Sequence, residues 1–195
     1  MRFIAFSSFS ILFCFLVVSN LKAQDYLHQV IVLNEGWSDW QTGEVIEPAT
    51  MATYDPGLEI YAVVDTIEDT GFVSDALIFD EKIFVAADGA LLKYDANSYE
   101  LLQSANIVGI RKMAMHNGLI YITRGDVDDQ GLSLQLDSYF QWYDAESLEL
   151  VGELTVNENG PQFATEGIAL AGERIYFAIS GYWGNEVGLL GAYDI

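Results

Sequence analysis

Cysteine is almost missing from this chain. Cys14 is the single one among 195 residues, and it lies in an apolar stretch near the N-terminus. Residues 24–195 therefore offer no disulfide, no thiolate nucleophile and no Cys-based zinc site. Histidine is nearly as scarce: His28 lies close to the start of that segment, and His116 stands beside a turn, where a solvated side chain is the ordinary outcome. No Gly-x-Ser-x-Gly elbow, no His-Glu-x-x-His pair and no Walker-type glycine loop occurs. The corresponding hydrolase, zincin and nucleotide chemistries lose their usual carriers. Paired carboxylates for glycoside hydrolysis carry no information in sequence when 29 acidic residues are present.

Positive charge is short too. Eight Lys and Arg stand against 29 Asp and Glu. Arg2 and Lys22 fall within the first 23 residues and no acid does, so 24–195 carry six cations against 29 acids, a net charge of −23. Such a surface repels phosphate backbones, which argues against nucleic-acid partners, and it favours cations or solubility in a salty exterior. Long apolar runs are likewise missing after the N-terminus. Residues 1–23 read as a secretory signal: Arg2 gives the positive start, 11–18 the apolar stretch, and Leu21-Lys22-Ala23 the small-residue cleavage site before Gln24. The stretch is too short to span a bilayer, and no later segment is long enough, so no transmembrane segment is expected. Ile11-Leu12-Phe13 before Cys14 makes a poor lipoprotein box, and Cys14 is expected to leave with the leader. A sustained 3.6-residue apolar stripe is absent from 24–195, so helices are expected to be rare.

What is present is a repeat. Tyr-Asp recurs at Tyr54-Asp55, Tyr94-Asp95, Tyr143-Asp144 and Tyr193-Asp194, at steps of 40, 49 and 50 residues. Periods in this range signal stacked or radial repeats. A β-branched or aromatic run closed by glycine precedes each pair: 30–36, 83–89, 120–125 and 175–181. Three of these follow a shorter run and a tight turn, at Asp80-Glu81, Asn117-Gly118 and Gly172-Glu173; Asn-Gly is the strongest hairpin signal of the set. After the first three Tyr-Asp pairs come a turn and another strand. The order A, hairpin, B, loop, C, turn, D is that of a propeller blade. The fold expected is all-β: a partial β-propeller of about three and a half four-stranded antiparallel blades. Their spans are 24–67, 68–107, 108–156 and an incomplete 157–195. The Tyr is expected to pack between blades, and the Asp to open the C–D turn through an Asx-type bond. Blade 1 lacks strand A and blade 4 ends within strand C, so the reading is of the N-terminal part of a longer protein. Missing C-terminal blades would complete the two raw edges, which would otherwise promote association.

The run Val30-Ile31-Val32-Leu33-Asn34-Glu35-Gly36 and the later Thr53-Tyr54-Asp55-Pro56 resemble secreted bacterial propellers of the YVTN/YncE-like class. They are nearest to a Bacteroidetes-type propeller domain of unknown function. Thr165-Glu166-Gly167-Ile168-Ala169-Leu170-Ala171-Gly172-Glu173-Arg174-Ile175-Tyr176 is similar to the blade-opening segment of that class and of NHL-type repeats. The likeness covers nearly all of 29–195. It implies a seven-bladed ring, exported and usually non-catalytic, in the periplasm, outside the cell or on the surface of a Gram-negative bacterium. The chain lacks the Gly-His…Trp-Asp pattern of WD40 propellers and the Gly-Gly pairs of kelch.

Blade topology places the B–C loops on one face with the D–A connections. Three B–C loops read as long (37–50, 126–138, 182–188) and one as short (89–91). Trp37, Trp40, Tyr182 and Trp183 fall in the long ones and form the expected ligand-binding set for a glycan, peptide or protein. The 126–137 stretch spaces Asp126, Asp128, Gln130 and Asp137 like an EF-hand loop with Gly131 at the sixth position, a possible calcium set against the alternative of a solvated acidic hairpin. Calcium apart, no cofactor is expected. Arg124-Gly125-Asp126 matches an adhesion tripeptide, which short length makes uninformative. The functional expectation is a non-catalytic binding or scaffold module. The alternatives are a propeller enzyme, lactonase-like or sugar lyase, with a metal at the central channel, and a purely structural surface-layer component.

Overall fold

The structure is a computed structural model and describes residues 29–39, 41–127, 132–182 and 185–195. The strands are β1 (Val30–Asn34), β2 (Trp37–Ser38), β3 (Val45–Glu47), β4 (Ala49–Asp55), β5 (Ile60–Ile67), β6 (Val73–Phe79), β7 (Lys82–Ala87) and β8 (Ala90–Asp95). They continue with β9 (Leu101–Asn106), β10 (Ile110–His116), β11 (Leu119–Arg124), β12 (Ser138–Asp144), β13 (Leu150–Thr155), β14 (Thr165–Leu170), β15 (Arg174–Tyr182) and β16 (Asn185–Asp194). Among the described residues helix is limited to one 3-10 turn, Val156–Glu158. The sheets are β1-β4-β5, β6-β7-β8-β9, β10-β11-β12-β13 and β14-β15-β16, with a separate β2-β3 pair. Every pairing is antiparallel. The fold is a partial β-propeller: two four-stranded blades flanked by a three-stranded blade on each side. The first of these has strands B, C and D, the last A, B and C.

The Tyr-Asp repeat sits in one register throughout. Tyr54, Tyr94, Tyr143 and Tyr193 pair with Val30, Ile83, Ile120 and Ile175 of their B strands. Tyr94, Tyr143 and Tyr193 all pack toward the preceding blade, in three successive interblade clusters. The following Asp organises the C–D turn. Asp95 Oδ1 accepts the N–H groups of Asn97 and Ser98 at 2.9 Å each, and Asp144 Oδ1 those of Glu146 and Ser147 at 2.9 and 2.7 Å. Asp55 does the same for Gly57 and Leu58 at 2.8 and 2.9 Å. These bonds hold the Asp95 and Asp144 carboxyls below the usual carboxylate range. Four residues on, Glu59, Tyr99 and Leu148 each adopt positive φ (56°, 61°, 55°) without being glycine. The Asx bonds and the closing Tyr99 and Leu148 N–H bonds to Asp95 and Asp144 O fix that unfavoured geometry.

Alternation along the B strands builds the core. On β7, Ile83, Val85 and Ala87 face blade 1, while Phe84 and Ala86 face blade 3. On β11, Ile120 and Ile122 face blade 2, while Tyr121 joins Phe140, Ile175 and Phe177 beside blade 4. Strands covered on both faces read as continuous apolar runs, which is what these B strands are. Few cations reach the interior. Lys93, 4% exposed, spans from β8 to the next blade's turn, donating to Glu146 O at 2.8 Å and Oε2 at 3.1 Å. Arg124 is buried too, its Nε on Val108 O (3.0 Å) and its Nη1 on Ser138 O (2.8 Å). Burial lowers its pKa from the ordinary arginine value, against the opposing pull of Tyr143 and Glu153.

The turns divide cleanly between two faces. A–B and C–D turns meet on one, where Ala96 N–H donates to Glu81 O, Ala145 N–H to Gly118 O and Ile195 N–H to Glu173 O. D–A and B–C connections meet on the other, with Asp88 N–H on Phe72 O (3.0 Å), Gly125 N–H on Gly109 O (2.7 Å) and Ser180 N–H on Ala164 O (3.1 Å). Each innermost strand carries a bulge near this second face: Val73/Asp75 in β6, Ile110/Met113 in β10 and Thr165/Ile168 in β14.

Candidate functional site

The three long B–C connections differ in form from the loops expected. In blade 1 the segment from Trp37 folds into the β2-β3 hairpin, Trp37 opposite Glu47 and Ser38 opposite Val45, and strand C already begins at Ala49. In blade 3, Val127 bridges Ser133, and Leu134 N–H bonds Asp126 O at 2.9 Å, closing a small hairpin. In blade 4, the described residues of 182–188 are paired strand. The β15-β16 ladder continues through Gly181↔Glu186 to Tyr182↔Asn185, with a register shift between Ile179 and Gly181. Gly181 and Gly188 both have positive φ, which lets the ladder bend and go on pairing. Backbone pairing satisfies the N–H and C=O groups that a long exposed loop would leave to water, which is why these stretches fold back on themselves.

Trp37 is 57% exposed on the face that carries the B–C connections. Trp40 and Trp183 lie outside the described residues, and of Tyr182 only the backbone is described. Of the expected calcium set, Asp128 and Gln130 also lie outside them. Asp126 is half-buried, and its Oδ1 accepts the Val127 N–H at 2.8 Å. Asp137 is exposed, and its backbone carbonyl accepts the Val156 N–H at 2.8 Å. Among the described residues no three His, Asp or Glu side chains converge as a metal-holding group. The adhesion-type tripeptide is not presented: Arg124 is 9% exposed and tied to two carbonyls inside blade 3.

The hairpin that carries Trp37 is joined by contacts to a pocket that the sequence did not single out. The β2-β3 hairpin rests on the connection into blade 2; a Cβ on Gly71 would lie 2.0 Å from Ser38 Oγ. Gly71 and Phe72 donate their N–H groups to Asp88 Oδ2 at 2.7 and 3.0 Å. Phe72, 41% exposed, and Asp88 then line a cavity of about 140 Å³ between blades 2 and 3, whose far wall is Arg111, Gly125 and Asp126. The two-residue B–C turn of blade 2, Asp88-Gly89, leaves the cavity uncovered between the longer connections of its neighbours. Arg111 Nε donates to Gly125 O at 2.6 Å and lies 3.7 Å from Glu166 Oε1. The adjacent Lys112 donates to Ser74 O, and Asp75 Oδ2 accepts Met113 N–H at 2.8 Å, so the inner strands of blades 2 and 3 are stitched just below. Two weak signals marked this pocket in the sequence: Arg111 is one of six cations in 24–195, and Gly89, Gly109 and Gly125 stand at successive connections.

No protein-family model matches the sequence, and no curated protein sequence matches it. Solved structures do share its architecture. One is the extracellular domain of a "putative one component system" from B. thetaiotaomicron, with a TM-score of 0.52 and 14% identity. The alignment covers 76% of this chain and 19% of that one, so the chain spans under a fifth of that neighbour. At this identity the likeness is one of fold alone.

Proposed function

We propose that this chain is an exported, non-catalytic binding or scaffold module of the YVTN/YncE-like kind, which takes a glycan, peptide or protein on its B–C face. One observation carries the reading. Trp37 is held on a hairpin outside the four blade sheets, 57% exposed, and the hairpin rests on the connection that carries Phe72, itself 41% exposed. Large aromatics displayed together on a charged protein cost solubility and mark interaction surfaces. The rest is consistent in direction. Residues 1–23 read as a leader, which would place the protein in the periplasm, outside the cell or on the surface of a Gram-negative bacterium. The structural neighbour is an extracellular domain. Among the described residues no helix is long and apolar enough to cross a membrane. The net charge of −23 over residues 24–195 repels nucleic acid.

The test is a glycan and peptide array probed with wild type, Trp37→Ala and the Trp37→Ala/Trp183→Ala pair. The variants should keep the wild-type circular dichroism and melting curve while losing array signal. Undiminished binding by the double variant would remove the B–C face from the argument.

A further inference from the structure

We propose that the pocket between blades 2 and 3 seats one neutral sugar unit of a larger glycan, with Arg111, Asp88 and Asp126 bonding its hydroxyls and Phe72 covering its C–H face. This rests on the B–C face being the binding surface and narrows its ligand class. Each polar group in the pocket is anchored on one side and, among the described residues, open on the other. Asp88 commits Oδ2 to the Gly71 and Phe72 N–H groups, and among the described residues Oδ1 has no partner. Asp126 commits Oδ1 to Val127 N–H, and its Oδ2 takes no bond among the described residues. Arg111 commits Nε to Gly125 O, beside Glu166, and its Nη fork takes no bond among the described residues. Anchored groups of this kind lose little freedom on meeting a ligand.

The mixture of groups selects the ligand. An anion entering the pocket meets two carboxylates within the field of residues 24–195, whose net charge is −23. A cation meets the Arg111 guanidinium in the same lining. A hydroxyl both donates and accepts, so a ring bearing several can donate hydrogen bonds to Asp88 and Asp126 and accept them from Arg111 at once. Phe72 adds the apolar wall that the C–H face of a sugar requires. Size agrees: about 140 Å³ is well below the roughly 300–1,000 Å³ of sites that enclose a drug-sized ligand, so the pocket takes one ring and leaves its neighbours on the surface. The missing side chains keep it open. A Cβ on Gly109 would press on the Gly125 backbone at 3.2 Å and on Asp126 Cβ at 3.3 Å, and Gly109 holds φ +71° as well.

The experiment is an amide NMR titration of the ¹⁵N-labelled full chain. The probes are neutral trisaccharides of the gluco, manno, galacto and xylo series, with trigalacturonate and trilysine as charged controls. At least one neutral trisaccharide should shift the Gly89, Gly109 and Gly125 amides saturably. Phe72→Ala should weaken that binding at least tenfold, and Asp126→Asn several-fold, both with the wild-type amide spectrum elsewhere. The proposal is overturned if only a charged probe moves those amides, if no neutral series moves them, or if Phe72→Ala binds like wild type. Saturable shifts elsewhere on the B–C face would overturn the pocket assignment while leaving the face as the binding surface. Failure of that broader reading shows separately, as undiminished array binding by the Trp37 variants.

Discussion

Gly36 lies where the chain leaves β1 for the hairpin that displays Trp37, and Gly36→Ala tests how rigidly that display is built. A Cβ there would lie 2.0 Å from Glu47 O and 2.7 Å from both Ala49 N and Pro48 C. All three are backbone atoms at the junction of β3 and β4, so no rotamer change relieves the clash. Overpacking ordinarily costs about 1–3 kcal/mol, and a clash against backbone belongs at the upper end, about 3 kcal/mol. For a chain of this length that corresponds to a fall in melting temperature of roughly 6–12 °C. If the hairpin instead peels from blade 1, the melting temperature is kept, and the cost appears as faster hydrogen exchange across 37–47 with a changed Trp37 emission. Calorimetry and exchange mass spectrometry on the same sample read both outcomes. Gly43→Ala is the control: no atom lies within 4 Å of its Cβ, and only its φ of +70° opposes a side chain, at about 1 kcal/mol. A Gly36→Ala protein with unaltered melting and unaltered exchange over 37–47 would refute the close approach.

Further outcomes follow from the core and the turns. Phe84→Ala, which opens a void between blades 2 and 3 where the ring is 1% exposed, should cost about 3–5 kcal/mol in urea denaturation. Tyr94→Phe removes the 2.8 Å bond from its hydroxyl to Asp65 Oδ2 and should cost about 1–2 kcal/mol by the same measurement. Burial, reinforced by Asp65, raises the Tyr94 pKa above the ordinary tyrosine value. The protonated phenol therefore stabilises the fold fully below about pH 10, and that contribution fades as pH rises toward the folded value, so wild type should lose more stability above pH 10 than Tyr94→Phe. Asp95 and Asp144 have the opposite sign: their depressed pKa values stabilise the fold above the ordinary carboxylate range, a contribution lost as pH falls through the folded values. Melting curves of Asp95→Asn/Asp144→Asn should accordingly depend less on pH between 5 and 2 than those of wild type.

The parts of this fold that were legible in the sequence are those set by short-range chemistry. The Tyr-Asp pairs marked the C strands of blades 1 to 3 because an Asp that caps its own turn must sit at the strand's end. Asn117-Gly118 announced its hairpin because both residues take positive φ, 48° and 77°. Asp80 and Glu81 reach similar values without glycine, so the blade 2 hairpin was visible only through its flanking strands. The pairing of 37–38 with 45–47 was hidden because Trp37, Ser38 and Val45–Glu47 do not alternate clearly, and Ser38 packs on Gly71, a residue distant in the chain. Trp37 itself was legible as an exposed aromatic. The pocket at Arg111 was not, because it is assembled from residues 72, 88, 111 and 126, which become neighbours only when two blades stack.

Each of the three apolar clusters joins one blade to the next, and none reaches across two interfaces. The molecule is thus a short series of like junctions, each settled by its two adjoining sheets. Gene duplication of one unit copies both halves of a junction together, the tyrosine that enters the preceding blade and the apolar row that receives the next. A propeller of this kind can therefore lengthen in evolution without inventing a new interior, while its B–C hairpins diverge, because none of the three clusters draws a described residue from 37–47 or 126–134.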